Sequence, residues 1–118
     1  MVSIPFLPKA WQAPPTPLAR VYHELVKLLG HGRVLTHRAE TRVYACDASV
    51  LFPHEPEIVV LPETSEEVQQ VVQCCYAHEV SFTARGAGTG QSGGALTPEG
   101  GVLMVLTRLN RILELCPE

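Results

Sequence analysis

Apolar residues recur at Leu18, Val21, Tyr22, Leu25, Leu28 and Leu29, the i, i+3, i+4, i+7 spacing of one helix face. Thr16 before Pro17 suits an N-cap followed by proline at the first helical position, and Gly30 suits the C-terminal cap. From Gly30 to Pro56 the pattern is mixed: the short apolar "RVLT" and the Pro-broken "TRVYACDASVLFPHEP" predict only loops and short turns. "EIVVLPE" then reads as a short β-branched strand stopped by Pro62. Thr64 and Glu67 stand in the T-x-x-E spacing of a capping box, and Val68, Val71, Val72 and Cys75 continue as the apolar stripe of a helix ending near Glu79. Cys75 belongs to that stripe and Cys74 to its flank. "VSFTAR" follows as a strand, and "GVLMVLT" as a second, wholly apolar one.

Strand, helix, strand, loop, strand is the order of a parallel β-α-β unit, with the crossover helix covering one sheet face. The loop "GAGTGQSGG" leaves the carboxyl end of a strand, where open α/β sheets bind ligands. Ahead of all this, Pro5, Pro8, Pro14, Pro15 and Pro17 block helix and sheet alike and predict an extended arm over residues 1–17. A helical and irregular segment is expected over 18–52, and the ligand-binding unit over 53–118.

Composition narrows the function classes. With 118 residues the chain holds one modest core, and it is small for a cofactor enzyme with its own substrate domain. A net charge of -3 and the lack of any polybasic block argue against nucleic acid as a partner. Cys46, Cys74, Cys75 and Cys116 form no CxxC pair, and no basic, apolar, small-residue leader precedes the first helix. Reduced thiols and a cytoplasmic place, at most peripheral to a membrane, are expected. No apolar run approaches the roughly 20 residues of a membrane span.

The glycine loop carries the chemistry. Residues 83–94, "TARGAGTGQSGG", hold five glycines, and glycine loses more backbone entropy on folding than any other residue. Freed from side chains, successive N–H groups converge into an anion-binding nest, each charge-assisted bond contributing roughly 1.5–3 kcal/mol. Arg85 is the only Lys or Arg between residues 43 and 107, which sets a cation at the mouth of the loop. The Walker pattern is absent, since the only lysines are Lys9 and Lys27. Gly88, Gly90 and Gly93 match GxGxxG, but "GALTPEGG" cannot open the helix that the dinucleotide fingerprint needs, so the nest is of a helix-free kind.

"VVLPETSEEVQQVV" followed by "ARGAGTGQSGGALTPEGGVLMVLTRLNRILEL" resembles the first part of the FAD-binding domain of flavoproteins related to vanillyl-alcohol oxidase and p-cresol methylhydroxylase (PCMH). Within them it is most similar to the group of glycolate oxidases and D-lactate dehydrogenases, over about residues 40 to 118. The resemblance implies an α+β fold, the N-terminal subdomain of the PCMH-type domain and incomplete. It also implies that Arg85, Gly86, Ala87, Gly88, Thr89 and Gly90 cradle the FAD pyrophosphate, continued by Ser92 and Gly93. Val60, Leu61 and Pro62 would wall the adenosine. Thr89 or Ser92 can add a hydroxyl donor.

Where many relatives carry proline before the arginine, this chain has Ala84. Where some attach the flavin through a histidine, it has Thr89 and Gln91, so FAD is expected to bind non-covalently. Relatives are several times longer, so the expected activity, hydride transfer from the α-carbon of a 2-hydroxy acid to the flavin, needs residues beyond these. A complementing chain or other oxidase subunits are the expected partners.

No catalytic residue is assigned among the five histidines. With no HxxxH or HExxH pair, no metal site is expected. Asp47 has a family counterpart ahead of the FAD domain and reads as a turn or helix cap, and "TRLNRILEL" as packing with a solvated edge. A stand-alone nucleotide-binding or interaction module, or a non-functional remnant, are the alternatives from other function classes.

Overall fold

Helix α1 (Pro17–Leu29) starts where the sequence places it: the Thr16 hydroxyl accepts the Ala19 N–H at 3.2 Å, and Pro17 occupies the first turn. It stops at Gly30, whose φ of +85° breaks the helix while its N–H still reaches the Val26 carbonyl at 2.8 Å. The computed structural model describes residues 16–49 and 52–118. The proline-rich arm lies outside them, apart from Thr16 and Pro17. Val21, Leu25 and Leu29 are buried, whereas Leu28, expected on the same face, is turned to the edge and 37% exposed.

The second long helix, α3 (Ser65–Ala77), has half of its expected capping box. The Thr64 hydroxyl accepts the Glu67 N–H at 3.1 Å, but the Glu67 carboxylate accepts the N–H of Glu63 rather than that of Thr64. Arg33 draws it there, binding both carboxylate oxygens at 2.7 and 2.8 Å. At the other end the Val80 N–H reaches the Cys75 carbonyl and the Glu79 N–H that of Tyr76, a Schellman pair. Its left-handed position is held by Glu79, at φ +54°, where glycine is usual.

Between these helices the chain forms more than the loops expected of residues 30–56. "RVLT" supplies strand β1 (Val34–Leu35), and a single helical turn, α2 (Arg38–Thr41), follows. Two residues are too few to show alternation, so β1 becomes visible only through its partner. That partner is β2 (Ile58–Val60), which pairs antiparallel with Val34 opposite Val60.

Strands β3 (Phe82–Arg85) and β4 (Val102–Val105) complete a four-stranded sheet in the order β1-β2-β4-β3. β4 lies between β2 and β3 and is parallel to both, with Ile58 and Phe82 flanking Val102 and Arg85 beside Val105. This is the parallel β-α-β unit the pattern predicts, with α3 as the crossover. Strand alternation sorts the core into two layers. Ile58, Val60, Val102 and Met104 pack under α1 and α3, and Val59, Leu103 and Val105 face the other way, toward Leu35, Tyr44 and Leu61. Cys74, expected on the helix flank, is buried with Cys75, because α1 lies along that side of α3. No helix among the described residues is long and apolar enough to cross a membrane.

Candidate functional site

The three parallel strands end on the same side of the sheet, and the glycine loop leaves from there. It runs from Gly86 to Gly101 without a helix, as the breaker residues require. Gly88 and Gly93 have positive φ, +73° and +79°. At Gly88 a side chain is opposed twice over, by the left-handed backbone and because a Cβ there would force the Arg85 guanidinium to shift.

Arg85 itself points inward. On the sheet face opposite α1 and α3, and only 9% exposed, it donates through Nη1 to the carbonyls of Tyr44 at 3.2 Å and Cys46 at 2.8 Å. Its Cζ lies 5.7 Å from the Tyr44 ring centroid. The cation therefore lies beneath the loop, holding segment 44–46 against it and setting a fixed positive charge under the Gly88 backbone.

The same segment holds the far end. Asp47, buried, accepts the N–H of Ser49 at 2.9 Å, the Ser49 hydroxyl, and across the loop the Gly93 N–H at 2.9 Å. Bonds from the Ser49 hydroxyl and N–H, and then from Gly93, hold its carboxyl below the usual Asp range. The Ala48 N–H meets the Gly90 carbonyl at 3.0 Å. Asp47 is thus the turn residue expected, with a second role the sequence hides: it anchors a loop 46 positions away.

Between these anchors the loop offers donors that find no acceptor among the described residues. Among the described residues, the backbone N–H groups of Gly86 through Ser92 make no hydrogen bond, and neither do the hydroxyls of Thr89 and Ser92. At Gly86, Gly90 and Gly94 nothing lies within 4 Å of where a Cβ would be, so a ligand can approach the bare backbone. No residue from 86 to 98 is ionisable. The loop is an exposed, open cradle of donors over a buried guanidinium, and such an arrangement favours an anion.

Val60, Leu61 and Pro62 stand at the end of β2, separated from the end of β3 by one strand, or about 10 Å at the usual strand spacing. Val60 and Pro62 are buried and Leu61 half-buried, its N–H bonded to the Arg33 carbonyl at 3.0 Å. The fold brings Arg85 to Gly93 together in one loop and leaves residues 60–62 as a separate ledge on the same side of the sheet.

A sequence profile of the family described as FAD binding domain matches residues 56–118, from the start of β2 through the loop and beyond β4. The chain belongs to that FAD binding domain family. Glycolate oxidase subunit GlcD of Escherichia coli is 43% identical over 74 residues, which are 63% of this chain and 15% of that protein. A D-lactate dehydrogenase of Anaerostipes hadrus is 43% identical over 58 residues, 49% of this chain and 12% of that one. Among solved structures, p-cresol methylhydroxylase with substrate bound superposes with a TM-score of 0.73 at 25% identity, covering 86% of this chain and 21% of that one. The fold is therefore that of the PCMH-type FAD-binding domain, of which this chain spans a part. The chain covers 12–15% of these two curated relatives.

FAD fits what the loop offers. Its pyrophosphate is an anion that accepts several hydrogen bonds at once, which suits a loop whose N–H groups at residues 86–92 have no partner among the described residues.

Proposed function

We propose that residues 86–93 hold the pyrophosphate of FAD through their backbone N–H groups, with Thr89 and Ser92 adding hydroxyl donors and Arg85 supplying charge from below. Val60, Leu61 and Pro62 wall the adenosine. The run of unpaired donors from Gly86 to Ser92 carries this reading. Asp47 and Arg85 act as positioning residues: they tie the loop to segment 44–49, so little of its entropy is left to lose on binding.

The attachment is non-covalent, since the loop offers no histidine, cysteine or tyrosine that could bond the flavin. The enzyme to which this domain belongs oxidises a 2-hydroxy acid of the glycolate or D-lactate type, the reading supported by the names of the relatives. Bound FAD supplies the two-electron acceptor for that chemistry. This chain contributes the grip, and a further segment or a complementing subunit contributes the contacts to the flavin ring. The β3 edge and the exposed Ile112, Leu113 and Leu115 give such a segment an apolar landing. The four free cysteines agree with a cytoplasmic setting.

The test is a titration with FAD, FMN and ATP, followed by flavin fluorescence and melting temperature. FAD alone should saturate and stabilise the chain, and acid precipitation should release all of it. Equal affinity for FMN, which lacks the adenosine and its pyrophosphate, or flavin retained on the precipitate, would overturn the assignment.

A further inference from the structure

Away from the glycine loop, where α1 packs against α3, Glu24 of α1 meets Cys74 of α3 and His78, the residue that caps its C-terminus. The Glu24 carboxylate accepts from the Cys74 thiol at 3.3 Å through Oε2, and lies 2.8 Å from His78 Nε2 through Oε1. All three candidate ligand atoms lie within 4.8 Å of one another. His78, the C-cap of α3, stands one turn beyond Cys74 with its N–H bonded to the Cys74 carbonyl, so the two side chains lie on the same side, and Glu24 closes the third side from the neighbouring helix.

We infer that Glu24, Cys74 and His78 form a binding site for a thiophilic divalent cation of the Zn²⁺ class, which clamps α1 to α3. Ordinary zinc–ligand lengths in a tetrahedral site give ligand–ligand edges of about 3.4–3.6 Å. The Cys74 Sγ–Glu24 Oε2 contact, at 3.3 Å, falls just short of that edge, and the His78 Nε2–Glu24 Oε1 contact, to the other carboxylate oxygen, is about 0.6 Å short of it, so both must open when the metal enters.

A thiolate, an imidazole and one carboxylate select zinc-like metals over Mg²⁺ and Ca²⁺, which prefer all-oxygen sites. Three protein ligands leave a fourth position. Glu24 is half exposed, so that position faces water. Lys27, whose charge also acts on Glu24, is the cation the metal must compete with.

In the metal-free state burial and the Glu24 carboxylate push the Cys74 thiol up to about 12, so it is protonated. Binding takes the thiolate, so the metal displaces the thiol proton. The Cys-x-x-x-His spacing contains neither a histidine pair nor a CxxC, and its third ligand is 50 residues away, so the sequence does not mark the site.

Co²⁺ titration of the whole chain, in a Cys116→Ser background that removes the exposed thiol, tests the site. The expected result is a thiolate-to-cobalt charge-transfer band saturating at one equivalent, displaced by Zn²⁺ and untouched by Mg²⁺. Cys74→Ser should abolish it, and His78→Gln and Glu24→Gln should each weaken binding at least about tenfold, since even indirect partners of a metal contribute that much. The same two variants should lose the rise in melting temperature that Zn²⁺ gives the parent. Both replace side chains that are only partly buried, so they decide the matter even if Cys74→Ser fails to fold. No saturable band, or a band that His78→Gln and Glu24→Gln leave unchanged, overturns the inference.

Discussion

Alanine at Gly88 separates two roles that neighbouring glycines share out. The φ of +73° forces a left-handed conformation on the new residue, at about 1–2 kcal/mol. The added Cβ must also displace the Arg85 guanidinium, which donates to the carbonyls of Tyr44 and Cys46. A hydrogen bond from a charged donor contributes about 1.5–3 kcal/mol, so losing one of the two brings the total to about 2.5–5 kcal/mol. Against a net stability of about 5–15 kcal/mol that is a large fraction. Urea denaturation followed by circular dichroism should show it as a lower midpoint with little change in slope.

Gly86→Ala is the matched control. Its φ is ordinary and nothing lies within 4 Å of its Cβ position, so stability should hold or rise by about 0.4–1 kcal/mol. FAD affinity should nevertheless fall about tenfold or more if, as proposed, the pyrophosphate approaches this backbone, because the methyl group would stand in its way. A Gly88→Ala loss below about 1 kcal/mol would refute the reading of Arg85 as the buried support of the loop. A Gly86→Ala protein with undiminished FAD affinity would refute the reading of the backbone as the grip.

Asp47→Ala frees Gly93 and should weaken FAD binding while leaving the sheet intact, seen as lower affinity with unchanged far-ultraviolet dichroism. Glu79→Gly should stabilise the protein by about 1 kcal/mol, because glycine takes the left-handed position at the end of α3 without strain; a thermal melt checks it. The Arg33 guanidinium holds the Glu67 carboxyl down at about 2, from an ordinary 4.5. A carboxylate depressed in the folded state adds stability that is complete above pH 4.5 and lost as pH falls from there toward 2. The shift bounds the effect at roughly 3 kcal/mol, and screening of a pair about one-fifth exposed brings it to about 1–2. Glu67→Gln should flatten the acid limb of the stability profile by that amount.

Local signals carry much of this architecture. Thr16-Pro17 and Gly30 bound α1, Thr64 opens α3, and the β-branched runs give β2 to β4, because caps, breakers and periodicity act within a few residues. Strand β1 lies beyond that reach: two residues have no period, and what makes them a strand is Val60 opposite Val34. The same limit hides the supports of the site. Arg85 reads as a cation at the mouth of the loop, and its inward turn depends on carbonyls 39 and 41 positions away. Asp47 reads as an isolated turn residue because Gly93, its distant partner, is marked by nothing nearby. Cys74 reads as a helix flank because burial there depends on α1.

Whether bare backbone between Gly86 and Ser92 grips FAD is decided by amide NMR of the labelled chain under FAD titration. Saturable shifts are expected to concentrate at residues 86–93, with Asp47 and the ledge at 60–62 following and the α1–α3 surface still. Shifts centred elsewhere, or an absence of saturable change in the loop amides, would contradict that grip.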